Sequence, residues 1–128
     1  MPKSFACLDV HLIFSTRHRS PQISSDLQFR LFQYIGGILN SKDCRLIAAG
    51  GMPDHVHLLV SLHRDIAVAD LVRLIKANTF KWIHETFLDL PHFAWQSGYA
   101  AFAVSFSNVE DVRKYIADQA DHHRVRTF

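Results

Sequence analysis

Apolar and polar residues alternate over residues 5–16, with Leu8, Val10, Leu12 and Phe14 on one face and Cys7, Asp9, His11 and Ile13 on the other. A period of two predicts a strand. Arg17 to Pro21 reads as a basic turn. Leu27, Leu31, Tyr34, Ile35, Ile38 and Leu39 then recur at helical spacing, predicting a helix over 25–41 with Ser24 or Ser25 as N-cap and Asp26 in its first turn. Residues 44–49 and 55–62 read as a strand pair around a turn at Gly50-Gly51-Met52-Pro53. From Ile66, the set Val68, Leu71, Val72, Ile75, Trp82 or Ile83 and Phe87 predicts a longer helix ending before Pro91. A fourth strand is expected over 98–106, and Asn108 caps a last helix carrying Val109, Val112, Ile116 and Ala120.

The resulting order is β-α-β-β-α-β plus a C-terminal helix. That is an α+β, ferredoxin-like arrangement: an antiparallel sheet with two helices on one face. The other face is left for a ligand, a nucleic acid or the extra helix. A fold of this kind hosts many activities, so function must come from the site.

Composition narrows the classes. The 128 residues suit one domain, residues 1–128, and 48% hydrophobic with 20% charged residues excludes a disordered or low-complexity chain. Fourteen basic residues against twelve acidic ones give no strong overall field. Cys7 and Cys44 cannot supply a cysteine-rich zinc site or a disulfide framework, which points to a reducing, cytoplasmic setting. The run after Met1–Phe5 is broken by Asp9 and His11, unlike a signal peptide, and no apolar run approaches the roughly 18 residues that span a bilayer. Nine histidines are the surplus to explain.

His55 and His57 lie two apart on a predicted strand, so both imidazoles share a face and form a two-ligand metal platform that needs a third ligand from elsewhere. A His-x-His pair by itself also fits two half-buried strand histidines. On the last helix Tyr115, Gln119 and His122 stack on one side, at the shoulder of the apolar stripe. Such a helix, beside the sheet, can offer a phenol and an amide oxygen to a metal held by the strand. Arg73, Lys76 and Lys81, interleaved with Asn78, Thr79 and Trp82, form a modest basic patch, with Arg17, His18 and Arg19 a second and Lys114 beside the tyrosine. These suit a phosphate backbone and unstacked bases, and equally the solvated face of any soluble domain. His11, His18, His63, His84 and His92 are expected to be structural or surface residues. No Gly-rich nucleotide loop, His-Glu-x-x-His, Gly-x-Ser-x-Gly or Cys-x-x-Cys is present, and His-Val-His lacks the glutamate of the zinc deaminases.

Met52–Val60, Ile75–Ile83, Trp95–Phe102 and Val112–Gln119 together resemble the histidine strand, second helix, last strand and tyrosine helix of the single-tyrosine HUH transposases of bacterial insertion sequences and their REP-associated relatives. The resemblance covers nearly the whole chain. It implies that His55 and His57 bind Mg²⁺ or Mn²⁺ with Gln119 as third protein ligand. It implies that Tyr115 attacks a phosphodiester of single-stranded DNA, leaving a 5′-phosphotyrosine and a free 3′-OH. It further implies a homodimer in which the tyrosine helix of one subunit completes the histidine site of the other, and recognition of DNA hairpins.

Physical chemistry agrees with these roles. A tyrosine hydroxyl, with an ordinary pKa of about 10, is a poor nucleophile near neutrality unless its proton is removed or the phosphate is polarised. A phosphotyrosine link conserves the energy of the broken bond, so no nucleotide cofactor is needed. By softness alone, two imidazoles suit Mn²⁺ or Zn²⁺ better than Mg²⁺. The residues by themselves also admit a non-catalytic nucleic-acid-binding module of the same fold, or a zinc-dependent hydrolase of a small substrate.

Overall fold

A computed structural model describes residues 8–63 and 65–119. The elements follow the predicted order: β1 (Leu8–Ser15), α1 (Ser25–Ser41), β2 (Arg45–Met52), β3 (His55–Leu62), α2 (Val68–Thr86), β4 (Ala100–Val104) and α3 (Val109–Ala117). The four strands form one sheet in the order β2-β3-β1-β4, every neighbouring pair antiparallel. This is the expected ferredoxin-like sheet, with α3 as the added helix.

Strand alternation sorts the two faces. Val10, Leu12 and Phe14 of β1 meet Val60, Leu58 and Val56 of β3 across the ladder, and all six are buried in the main core. Leu27, Leu31, Ile35 and Leu39 of α1, with Leu71, Val72, Ile75 and Ile83 of α2, complete that core. Their helical spacing turns each apolar stripe toward the sheet. Ser24 caps α1 by accepting a hydrogen bond from the Leu27 backbone N–H at 3.1 Å. The opposite face carries His11, Ile13, His55, His57 and Leu59, because the pleat sends alternate residues there. α3 lies over the β2–β3 half of that face. Leu59 and Ile116 are fully buried on this side, outside the main core.

Several boundaries differ from the expectation. β2 continues through Gly50, Gly51 and Met52, which pair with His57, Val56 and His55, so the turn tightens to Pro53 and Asp54. Glycines suggest a turn to sequence reasoning, but here they are needed within the ladder. β2 also carries a bulge between Leu46 and Ala48, leaving Ile47 without a partner of its own on β3. β4 is shorter than predicted because Phe106–Asn108 form a 3-10 turn leading into α3. The Asn108 side chain makes no capping hydrogen bond. Thr79, absent from the predicted apolar set, is fully buried in α2, where its hydroxyl donates to the Ile75 carbonyl and accepts from the Trp95 indole N–H. Among the described residues, no helix is long and apolar enough to cross a membrane. Cys7, His122 and His123 lie outside the described residues.

Candidate active site

His55 and His57 project from β3 onto the α3 side of the sheet, each largely buried, with ring centroids 5.1 Å apart. Tyr115 of α3 meets His57 from above: the ring centroids are 5.9 Å apart, in an edge-to-face arrangement. The strand and the helix come from the same chain, so histidines and tyrosine are brought together within one subunit. The resemblance implies delivery of the tyrosine by a partner; in this structure the chain's own helix occupies that place.

Gly50 allows this approach. It stands opposite His57 in the ladder, and a Cβ at Gly50 would overlap the carbonyl oxygen of Ile116. α3 therefore rests on bare backbone beside the histidine. Tyr115 is about half exposed, while Ile116 is buried against the sheet. The helix thus anchors itself through one residue and presents the phenol of the preceding one.

Each histidine is held at Nδ1. His55 Nδ1 is 2.7 Å from Asp54 Oδ1, and the other oxygen of that carboxylate accepts from Arg19 Nε at 3.1 Å. Partial burial alone would raise the Asp54 pKa, but the hydrogen bonds and charges of His55 and Arg19 outweigh it and hold the carboxyl below its usual range. Arg19 reaches Asp54 from the Arg17–Arg19 turn, where His18 (φ 59°) and Arg19 (φ 56°) both adopt the left-handed region. Such conformations cost non-glycine residues energy and are concentrated at functional sites. His57 Nδ1 lies 2.9 Å from Nε2 of His11. His11 is thus a site residue that sequence reasoning assigned to structure or surface. Alternation put it on the correct face, but its distance to His57 depends on β1 lying beside β3, which the sequence does not state. Burial pushes the His11 pKa down.

Gln119 follows the C-cap Asp118 and is 2% exposed. Its Oε1 is buried with no hydrogen-bond partner among the described residues. An amide oxygen in that state costs roughly 1–3 kcal/mol unless something fills its coordination. Nδ1 protons on His55 and His57 would put the lone pair of each ring on Nε2, the arrangement that metal-binding histidines use. Two imidazole nitrogens and an orphaned amide oxygen are donors of the kinds a divalent cation accepts. Among the described residues no three His, Cys, Asp or Glu side chains make a cage by themselves.

The six predicted DNA-contacting cations divide. Lys76 belongs to the fold: its Nζ donates to the carbonyls of Gln96 (2.8 Å) and Gly98 (2.6 Å), and burial lowers its pKa. Arg19 is engaged with Asp54, and Arg73 pairs with Asp70 at 2.7 Å. Arg17, Lys81 and Lys114 are exposed. Arg17 and His18 line a cavity of about 390 Å³ against Trp95–Ser97. Across that segment lies a second cavity of about 460 Å³, lined by Arg73, Phe80 and Trp95 among others.

The model of one family, described as IS200-like transposase, matches residues 4–119. The chain belongs to the IS200-like transposase family. This transposase is 26% identical over 119 residues to the ISDra2 transposase TnpA of Deinococcus radiodurans, covering 89% of this chain and 85% of that one. It superposes with a TM-score of 0.72 on the crystal structure of a protein assigned as a transposase in D. radiodurans R1, at 26% identity over 88% of this chain and 91% of the other. The fold is also shared with a REP-associated tyrosine transposase bound to a REP hairpin, at TM-score 0.69 and 19% identity, covering 91% of this chain and 68% of that one.

Proposed function

We propose that this transposase cuts and rejoins single-stranded DNA through Tyr115, at a site where His55, His57 and Gln119 hold a divalent cation, Mg²⁺ or Mn²⁺. The observation that carries the reading is the edge-to-face approach of Tyr115 to His57, with ring centroids 5.9 Å apart on a largely buried histidine. A cation bound there would supply positive charge to polarise the scissile phosphate. Tyr115 Oη forms a bond to phosphorus while the bond from phosphorus to the 3′-oxygen breaks. The phenol proton is lost and the departing 3′-oxygen gains one, leaving a 5′-phosphotyrosine and a 3′-OH. Attack by another 3′-OH reverses the step without a nucleotide cofactor. The half-exposed position of Tyr115 lets a strand reach it from solvent, as a polymer substrate requires.

The substrate in this reading is a hairpin with a single-stranded flank. The hairpin carried by the REP-associated structure that shares the fold supports it, as do the exposed cations Arg17, Lys81 and Lys114. The two cavities flanking Trp95–Ser97 offer aromatic surface next to positive charge, which suits unstacked bases. The protein works as a homodimer in this reading: β4 is an edge strand, and Phe102 and Phe106 near it are exposed.

The test is incubation of the full chain with a hairpin oligonucleotide and Mn²⁺, followed by denaturing electrophoresis. A protein–DNA adduct is expected with the wild type and none with Tyr115→Phe or in excess chelator. An adduct formed by Tyr115→Phe overturns the nucleophile. Hairpin binding that is indifferent to chelator, with no adduct at all, identifies a non-catalytic binding module instead.

A further inference from the structure

We infer that His11 is a positioning residue for the histidine platform: its Nε2 accepts a hydrogen bond from the Nδ1–H of His57 and so fixes His57 with Nε2 toward the cation. The inference rests on the reading of His57 as a metal ligand. His11 stands opposite Leu59 on the β1–β3 ladder, and His57 stands opposite Ile13. The two histidines are therefore diagonal neighbours on one face, a relation that long side chains can bridge. They do so at 2.9 Å, with ring centroids 5.1 Å apart.

Packing alone does not explain an imidazole here. Ile13, Leu59 and Phe102 surround the position through the ladders, and an apolar side chain would fill it without burying a polar ring. The same ring also meets Tyr115, at 6.4 Å between centroids. It thus lies against both the proposed ligand and the proposed nucleophile. Asp54 does for His55 what His11 does for His57, each holding the ring at Nδ1. Metal-bound histidines depend on such partners, whose removal typically weakens metal binding 10- to 100-fold.

Two substitutions separate hydrogen bonding from shape. His11→Phe keeps a ring against Tyr115 and Phe102 and removes the acceptor. His11→Gln places an amide oxygen near the position of Nε2. Mn²⁺ binding by the full-length protein, without DNA, is followed through the electron paramagnetic resonance signal of the free ion. The expected result is a Kd weakened about 10-fold or more in His11→Phe and within about 3-fold of wild type in His11→Gln. Equal weakening in both variants, or wild-type affinity in His11→Phe, overturns the inference. The parent reading fails separately: then His57→Ala binds Mn²⁺ as the wild type does, or neither binds it. Loss of binding in His57→Ala with full binding in His11→Phe leaves that reading standing and removes this one.

Discussion

Gly50 lies directly across from His57 on the β2–β3 ladder, and the space its missing side chain leaves is taken by the backbone of the tyrosine helix at Ile116. Gly50→Ala must push α3 away from the sheet, since a backbone carbonyl cannot swing aside as a flexible side chain can. Overpacking of this kind costs about 1–3 kcal/mol. Urea titration is expected to show that loss, and adduct formation should fall well beyond what the fraction unfolded explains. Gly37→Ala is the contrast. It sits in α1 with open space around it and should stabilise the protein by about 0.5–1 kcal/mol. Normal adduct formation by Gly50→Ala would show that Tyr115 need not rest where the structure puts it.

The own-chain pairing of Tyr115 with His57 predicts the result of mixing two defective proteins. Tyr115→Phe keeps the histidines, and His57→Ala keeps the tyrosine. With each site assembled within one subunit, the mixture forms no adduct. An adduct recovered after subunit exchange would mean that α3 crosses to a partner during cleavage.

Asp54 joins Arg19 to His55, so Asp54→Asn should weaken Mn²⁺ binding by about 10-fold or more, measured by calorimetry. The pair also has a pH signature. The Asp54 carboxyl is depressed in the folded state, so its contribution is complete above the unfolded carboxylate pKa of about 3.9 and lost as pH falls through the lower folded value. The stability gap between wild type and Asp54→Asn should therefore be constant near neutrality and close under strongly acid conditions. A gap independent of pH down to acid unfolding would contradict the assigned network.

Much of this was legible from spacing. Alternation placed Val56, Leu58 and Val60 on one face and His55 and His57 on the other, because a strand's period of two leaves no other choice. The i, i+4 spacing brought Tyr115 and Gln119 near one another in the chain, but not their opposite fates, one half exposed and the other buried. That difference arises where α3 meets the sheet. The parts that were missed are all tertiary. His11 joins the site through strand order, Gly50 serves through a contact with Ile116, far later in the chain, and Lys76 is captured by two carbonyls of the segment entering β4. A lysine in a basic stretch looks alike whether it meets a phosphate or a backbone.

Thr79 makes the same point for stability. Thr79→Val keeps the volume but leaves the Trp95 indole N–H without its acceptor, at a cost of about 1–3 kcal/mol. Thr79→Ser keeps the hydroxyl and loses a methyl, about 1 kcal/mol. Urea denaturation should rank Val as the more damaging. The reverse order would mean that the methyl, not the bond to Trp95, holds this part of the core.

The bulge at Ile47 has a reach beyond its own strand. Before it, Leu46 opposes Val60 and faces the main core; after it, Ala49 opposes Leu58 on that same side and Gly50 opposes His57 on the other. Were Ile47 instead to take a regular place opposite Leu59 while Leu46 stayed where it is, every later position would change sides. Ala49 would then stand opposite His57, with its methyl group where the Ile116 carbonyl now rests. A single uncounted residue in an outer strand thus sets the parity of the surface on which the tyrosine helix lands.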